Sequence, residues 1–418
     1  MTITSVFLVL GILFSSPLRA DPQIWLAGTE AGSWNTATRY TSLWGTGGAN
    51  GTTSNVREIL VAESGTIKNF RVSLSAAPGG TASYTALVLI NESSSGISCT
   101  MTGASTSCED LISVASISAG DEISLQKTTA NTPTAAIPFI SIEFEPNTAS
   151  RSTYGGGTGG NTLSGLTQQF VGFSDSGYAP SATVTDFEIV MPTGGTLRNL
   201  YVEVRTAPGG TEAYQFDLYV NGALSGVVCT ISGASLTCND TSNTVAVVAG
   251  DNVVLSAIPT VNGAPAATTV IASFAFDPIN DGEFFFPRGS PTSLLSATRY
   301  LAVIDGDQGL ASNEQTAQCL DGHSWVKGVY VELLSAPGGS ETRQFNFRID
   351  SANATTNVTL TGASVSGSAF GFNDGMPVTQ YNATQMVPSG SAAASTVQIS
   401  YLALSKRRTK SVNIIGAP

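Results

Sequence analysis

Thirteen residues recur three times along the chain, at Asn69 to Thr81, Asn199 to Thr211 and Gly328 to Ser340. Each copy alternates apolar and polar residues and ends in Ala-Pro-Gly-Gly, as in Val72-Ser73-Leu74-Ser75-Ala76-Ala77-Pro78-Gly79-Gly80. Period-2 alternation marks a strand with one buried face, and a Pro-Gly-Gly stop is turn chemistry, so each copy reads as a half-buried strand running into a tight turn. Gly80, Gly210 and Gly339 lie 130 and 129 positions apart. That period is too long for a solenoid repeat and is the size of a domain, so three tandem copies of one β-domain are expected.

Other segments recur in the same order. Each copy begins with an aromatic strand (Thr38 to Trp44, Gln168 to Phe173, Thr298 to Val303), followed by a variable loop, the repeated stretch and a return strand (Tyr84 to Ile90, Tyr214 to Val220, Phe345 to Ile349). A second turn and strand follow (Ala119 to Leu125, Ala249 to Leu255, with Pro388-Ser389-Gly390-Ser391 as a degenerate third version). Each copy closes on an apolar strand (Phe139 to Phe144, Val270 to Phe276, Val397 to Leu404). About eight strands in roughly 120 residues make an all-β chain of three tandem antiparallel β-sandwiches, with a jelly roll favoured over an immunoglobulin-like order.

The expected domains are residues 21–150, 164–278 and 291–405, with joints at 151–163 and 279–290. The first joint holds Tyr154-Gly155-Gly156-Gly157-Thr158-Gly159-Gly160 and reads as a flexible linker. The second carries Phe284-Phe285-Phe286 and reads as a joint that packs rather than swings.

Four of the five cysteines form the most specific local signal. Cys99 to Cys108 is matched by Cys229 to Cys238, each spanning a central Gly-Ala: Gly103-Ala104 and Gly233-Ala234. With Gly-Ala as the two-residue loop of a type II′ hairpin, the cysteines face each other at a non-hydrogen-bonded pair, close enough for disulfides Cys99–Cys108 and Cys229–Cys238. The third copy keeps Thr361-Gly362-Ala363-Ser364 but has Val358 and Gly367 at the cysteine positions. Disulfides imply an oxidising compartment. Residues 1–20, apolar and followed by Asp21-Pro22, resemble a signal peptide cleaved after Ala20; a retained apolar anchor is the alternative, though the run is short for a bilayer. No stable membrane insertion is expected after processing, and the expected location is extracellular, on a cell or virion surface.

With 18 Lys and Arg against 30 Asp and Glu, the net charge is −12, which disfavours bare nucleic acid and anionic lipid as partners. The basic run Lys406-Arg407-Arg408-Thr409-Lys410 in the tail 406–418 reads as a solvated end, with a docking peg as the alternative.

Catalytic chemistry finds little footing. His323 is the single histidine, near Cys319 and Trp325, and a Cys-His nucleophile pair there has no counterpart in the other copies. No Gly-x-Ser-x-Gly elbow accompanies it. Asp305 with Asp307, and Asp281 with Glu283, sit in Gly-rich turns where Asp serves local hydrogen bonding, and calcium binding there is the lesser reading. Trp25, Trp34 and Trp44 could stack on sugars if exposed, against the commoner role of core aromatics. Sequons at Asn50, Asn91, Asn239, Asn353, Asn357 and Asn382 matter only in a glycosylating host. No catalytic residue, cofactor or metal is therefore assigned.

The hairpin Cys229-Thr230-Ile231-Ser232-Gly233-Ala234-Ser235-Leu236-Thr237-Cys238, with Ala-Pro-Gly-Gly and Tyr219-Val220-Asn221-Gly222 before it, resembles repeat domains of bacteriophage fibre and virion-surface proteins and of bacterial surface proteins. The resemblance spans all three copies and is weakest in the third. It implies a structural or attachment role and no catalytic residues to carry over; the preferred expectation is a non-enzymatic protein that self-associates into a homo-oligomer or filament, with a surface glycan or host receptor as partner. A secreted carbohydrate-binding protein or glycan-active enzyme is the alternative, and strand exchange through an edge strand or the tail is a third reading.

Overall fold

The computed structural model describes residues 21–28, 33–45, 51–54, 57–174, 179–260, 263–294, 296–304, 311–320, 324–375 and 381–405. The described chain is all-β, with no α-helix and short 3-10 turns that include Val184–Asp186 and Glu314–Ala317. The first repeat runs β1 (Gln23–Gly28), β2 (Arg39–Thr41), β3 (Ile59–Leu60), β4 (Gly65–Leu74), β5 (Ser83–Ile90), β6 (Ser93–Thr102), β7 (Ser107–Asp110), β8 (Ala115–Ile117), β9 (Glu122–Ala130) and β10 (Pro138–Pro146). The second runs β11 (Ser152–Gly157), β12 (Gln169–Val171), β13 (Ile189–Val190), β14 (Gly195–Val204), β15 (Gly209–Val220), β16 (Ala223–Gly233), β17 (Thr237–Val247), β18 (Asn252–Pro259) and β19 (Val270–Pro278). The third runs β20 (Glu283–Leu294), β21 (Arg299–Leu301), β22 (Cys319–Leu320), β23 (Ser324–Leu333), β24 (Thr342–Ile349), β25 (Ala352–Thr361), β26 (Ser366–Gly375), β27 (Tyr381–Pro388) and β28 (Ser395–Ser405).

Two antiparallel strand orders recur. One is β1-β10-β4-β7, then β11-β19-β14-β17, then β20-β28-β23-β26; the other is β2-β9-β5-β6, then β12-β18-β15-β16, then β21-β27-β24-β25. Leaving aside the short strands β3, β8, β13 and β22, which pair off these paths, the chain visits the sheets in the order of an eight-stranded jelly roll, the arrangement favoured from the strand count.

Local chemistry explains the turns. Asn91-Glu92, Asn221-Gly222 and Asp350-Ser351 all have positive φ, which is the type I′ geometry of a two-residue hairpin. The Ala-Pro-Gly-Gly and Gly-Ala signatures turn out to be each other's partners: Gly79 N donates to Gly103 O at 2.8 Å, and Gly103 N to Ala82 O at 3.0 Å. A Cβ on Gly103 would sit 3.0 Å from Gly80 O, so Gly103 answers to close approach, whereas Gly79 and Gly80 are needed for their positive φ.

Three expectations are corrected. The aromatic strand is the second of each repeat, preceded by β1, β11 and β20. The Gly-rich stretch expected to be a flexible linker is β11, buried at all six positions. Its glycines answer to crowding: a Cβ on Gly155 would touch Ile59 Cβ and Leu60 O at 3.3 Å, and one on Gly156 would run into the Gly172 carbonyl. The degenerate third turn at Pro388 was misaligned, since it follows β27, whereas Ala119-Gly120-Asp121 precedes the matching strand β9. The aromatic joint does pack, as part of β20, with Phe284, Phe285 and Phe286 at 2 % exposure or less.

The repeats close on themselves. β3 packs on β11, β14 and β19, β13 packs on β20, β23 and β28, and β22 of the last repeat packs on β1 and β10 of the first. The same head-to-tail contact made three times closes a ring. Its first strands meet inside: Gln23 donates to Thr153 O (3.1 Å) and accepts from Thr153 N (3.0 Å), while Phe285 N donates to the Tyr154 hydroxyl at 2.9 Å. The buried Tyr154 ring lies 5.5 Å from Trp44 of the first repeat and 4.1 Å from Phe285 of the third. A tyrosine of the middle repeat thus joins all three.

Substituting Gly156→Ala is expected to cost about 1–3 kcal/mol from overpacking, whereas Gly160→Ala, with nothing within 4 Å of its added Cβ, should be neutral or slightly stabilising. Urea unfolding of the two variants checks this; equal tolerance would restore the flexible-linker reading.

Candidate functional site

Both disulfides are formed, Cys99–Cys108 and Cys229–Cys238, each with a Cα separation of 5.7 Å. The turn between them is as expected, with Ser105 N donating to Thr102 O at 3.1 Å and positive φ at Gly103. The flanking strands, however, do not form one hairpin ladder. β6 pairs with β5 and β7 with β4, so each disulfide ties the edge of one sheet to the edge of the other. In the third repeat hydrophobic packing takes that place, since a Cβ on Gly367 would meet Leu360 Cδ2 at 2.6 Å and Val358 Cγ2 at 3.2 Å.

The remaining sequence candidates scatter. His323, Asp305, Asp307, Asn50, residues 1–20 and the tail 406–418 lie outside the described residues. Cys319 is fully buried in β22, a poor setting for a nucleophile. Asp281 is exposed, while Glu283 accepts hydrogen bonds from Thr193 (3.0 Å) and Asn280 (3.1 Å). The aromatic platform is overturned for three tryptophans: Trp25, Trp34 and Trp44 are at most 1 % exposed, and Trp44 Nε1 donates to Phe173 O across a junction at 2.9 Å. Trp325 is half-buried. Asn382 is buried, which removes it as a glycosylation acceptor, while Asn91, Asn239, Asn353 and Asn357 are exposed. Among the described residues no group of three His, Cys, Asp or Glu is placed to hold a metal.

The polar chemistry gathers instead at the three junctions, where equivalent positions carry different groups. Between repeats one and two, Arg205 reaches Glu58 (2.6 Å), Glu203 (2.5 Å) and Glu122. Three carboxylates share one guanidinium there. Burial, with the charge of Glu122, pushes the Glu58 and Glu203 carboxyls up despite Arg205. Between repeats two and three, Asn252 donates to Glu332 at 3.1 Å. Between repeats three and one, Ser73 Oγ and Tyr381 OH share a hydrogen bond of 2.6 Å, and Tyr381 lies edge-on to Phe139 at 5.0 Å.

The junction between repeats three and one holds open space beside Arg71. A recess of about 380 Å³ is lined by Arg71, Ser73, Thr106, Ser107, Cys108, Glu109, Leu320 and Tyr381. The matching recess between repeats one and two is about 180 Å³ and holds Tyr201 and Glu203 where the larger one has Arg71 and Ser73. Tyr201 packs against Gly120, and between repeats two and three Tyr330 packs against Gly250, so those rings fill the room that Arg71 leaves.

Sequence reading missed a second device. Asp110 accepts from the backbone N–H groups of Ser98, Ile112 and Ser113, Asp240 from those of Val228, Ser242 and Asn243, and Asp374 from those of Thr355 and Thr356. Each latches one edge strand to the other. Burial acts against the charge, yet these hydrogen bonds hold all three carboxyls below the usual range. The signal lay in Cys-x-Asp at Cys108 and Cys238.

The double substitution Val358→Cys with Gly367→Cys should oxidise spontaneously to a third cross-sheet disulfide, because these residues pair with Phe345 and Val331 as Cys99 and Cys108 pair with Ala86 and Val72. Thiol titration and peptide mapping without reduction check it.

Stability should peak in mildly acid solution. The raised Glu58 and Glu203 carboxyls contribute stability that is complete below the ordinary value of 4.5 and is lost as pH rises through their folded values. The depressed Asp110, Asp240 and Asp374 contribute stability present above 3.8 and lost as pH falls through theirs. Urea midpoints across pH test this, with Glu58→Gln expected to flatten the decline on the alkaline side; an unchanged slope in that variant would refute the assignment. No family model matches the chain and no curated protein matches it, so the functional reading rests on these junctions.

Proposed function

We propose that the chain is a non-enzymatic structural or attachment protein of an extracellular or virion surface, acting as a rigid ring of three jelly rolls. The observation that carries this reading is the closing contact of β22 on β1 and β10. A ring built by one repeated head-to-tail contact sets equivalent loops about a single axis on one face. Three loop sets then meet a surface together without the entropy cost of flexible tethers. The two disulfides fit a chain that matures in an oxidising compartment, and no helix among the described residues is long and apolar enough to cross a membrane. The junction strands are consumed inside the ring, so self-association into a larger assembly would run through the rim or the tail.

Electron microscopy of the native, untagged material, with its mass in solution, tests this reading. Three-lobed particles, ordered together or seated on a surface, are the expected result. A dispersed monomer with no surface association would move the assignment to a secreted binding protein.

A further inference from the structure

We propose that the recess between the third and first repeats binds the carboxylate of an acidic sugar residue. The inference rests on the attachment reading and names the surface chemistry that the ring would engage. Its centre is Arg71, whose side chain is 8 % exposed. Arg71 Nε makes one long contact to Glu109 at 3.3 Å, and Nη1 is buried with no acceptor among the described residues. A guanidinium that lines a recess and keeps an unsatisfied donor is matched by a planar oxyanion, which it grips through parallel hydrogen bonds once Nη1 turns out of its buried position. The remaining walls suit a sugar ring rather than a bare ion. Ser73 and Tyr381 offer a hydroxyl pair at 2.6 Å, Thr106 and Ser107 line the same side, and Leu320 with Cys108 supplies an apolar face. The volume of about 380 Å³ is at the small end of ligand sites and suits one pyranose unit.

The equivalent positions at the other junctions carry different chemistry. Tyr201 and Tyr330 occupy the Arg71 position, and Glu203 and Glu332 the Ser73 position, so those positions present a tyrosine ring and an acid where this recess presents a guanidinium and a hydroxyl. The net charge of −12 repels anions at long range, so affinity must come from local contacts and should be modest, with Kd on the order of millimolar. Glu109 is 52 % exposed and competes for the guanidinium as a built-in rival.

Calorimetric titration of the full chain, disulfides intact, with glucuronic acid, glucose and inorganic sulfate tests the proposal. Glucuronate should bind at least about tenfold more tightly than either glucose or sulfate. Arg71→Gln should weaken glucuronate about tenfold or more, and the exposed-site variant Glu109→Gln, which leaves the fold intact, should tighten it. Sulfate binding as well as glucuronate would reduce the recess to an anion site and overturn the sugar assignment. Glucuronate binding no better than glucose, or unaffected by both substitutions, would overturn the whole proposal. These results are independent of particle shape, so failure of the site and failure of the attachment reading are told apart.

Discussion

A short strand of one repeat laid across the outer face of the next is the contact on which the molecule depends. A sheet that faces water on one side alternates buried and exposed residues, but β1 and β11 are buried at every position and β10 at all but one. Those strands have two covered faces, one on the sandwich core and one on the neighbouring repeat. A repeat cut out alone would expose that second face, so the three units are parts of one body rather than beads on a chain. Tyr154, touching Trp44 and Phe285, marks where the three meet.

Much of this was legible in the residues, and the failures have physical causes. The alternation into Ala-Pro-Gly-Gly and the cysteine spacing report local geometry inside one sandwich, and there the strands and the two disulfides held, though the hairpin ladder around the cysteines did not. Tyr154-Gly155-Gly156-Gly157 reports a contact between sandwiches. In a linker glycine serves backbone freedom, and in β11 it serves close approach of Ile59 and the Gly172 carbonyl; composition looks the same in both cases. Trp44 falls to the same blindness, since its partners Phe173 and Tyr154 belong to the second repeat. The recess was beyond reach for a further reason: Arg71 and Tyr381 lie 310 positions apart and meet only when the last repeat returns to the first.

The three junctions share a backbone and differ in side chains. Arg205 among carboxylates, Asn252 on Glu332 and Tyr381 on Ser73 are not interchangeable, and a neighbour in the wrong place would bury mismatched charge. Such differences fix which repeat sits beside which. They also permit a chemical asymmetry denied to three identical subunits, where any change at one junction would be copied to the others.

The covalent continuity of the ring changes how it responds to dilution. A trimer of separate jelly rolls dissociates by mass action as its concentration falls, because each lost subunit gains translational freedom. Here a junction that opens stays within reach of its partner, held by the same chain that runs on through β11 and β20. Its reclosure is a first-order event, set by chain length and not by how many other copies are present. A particle shed singly into a large volume would keep its three-lobed form as well as one packed among many.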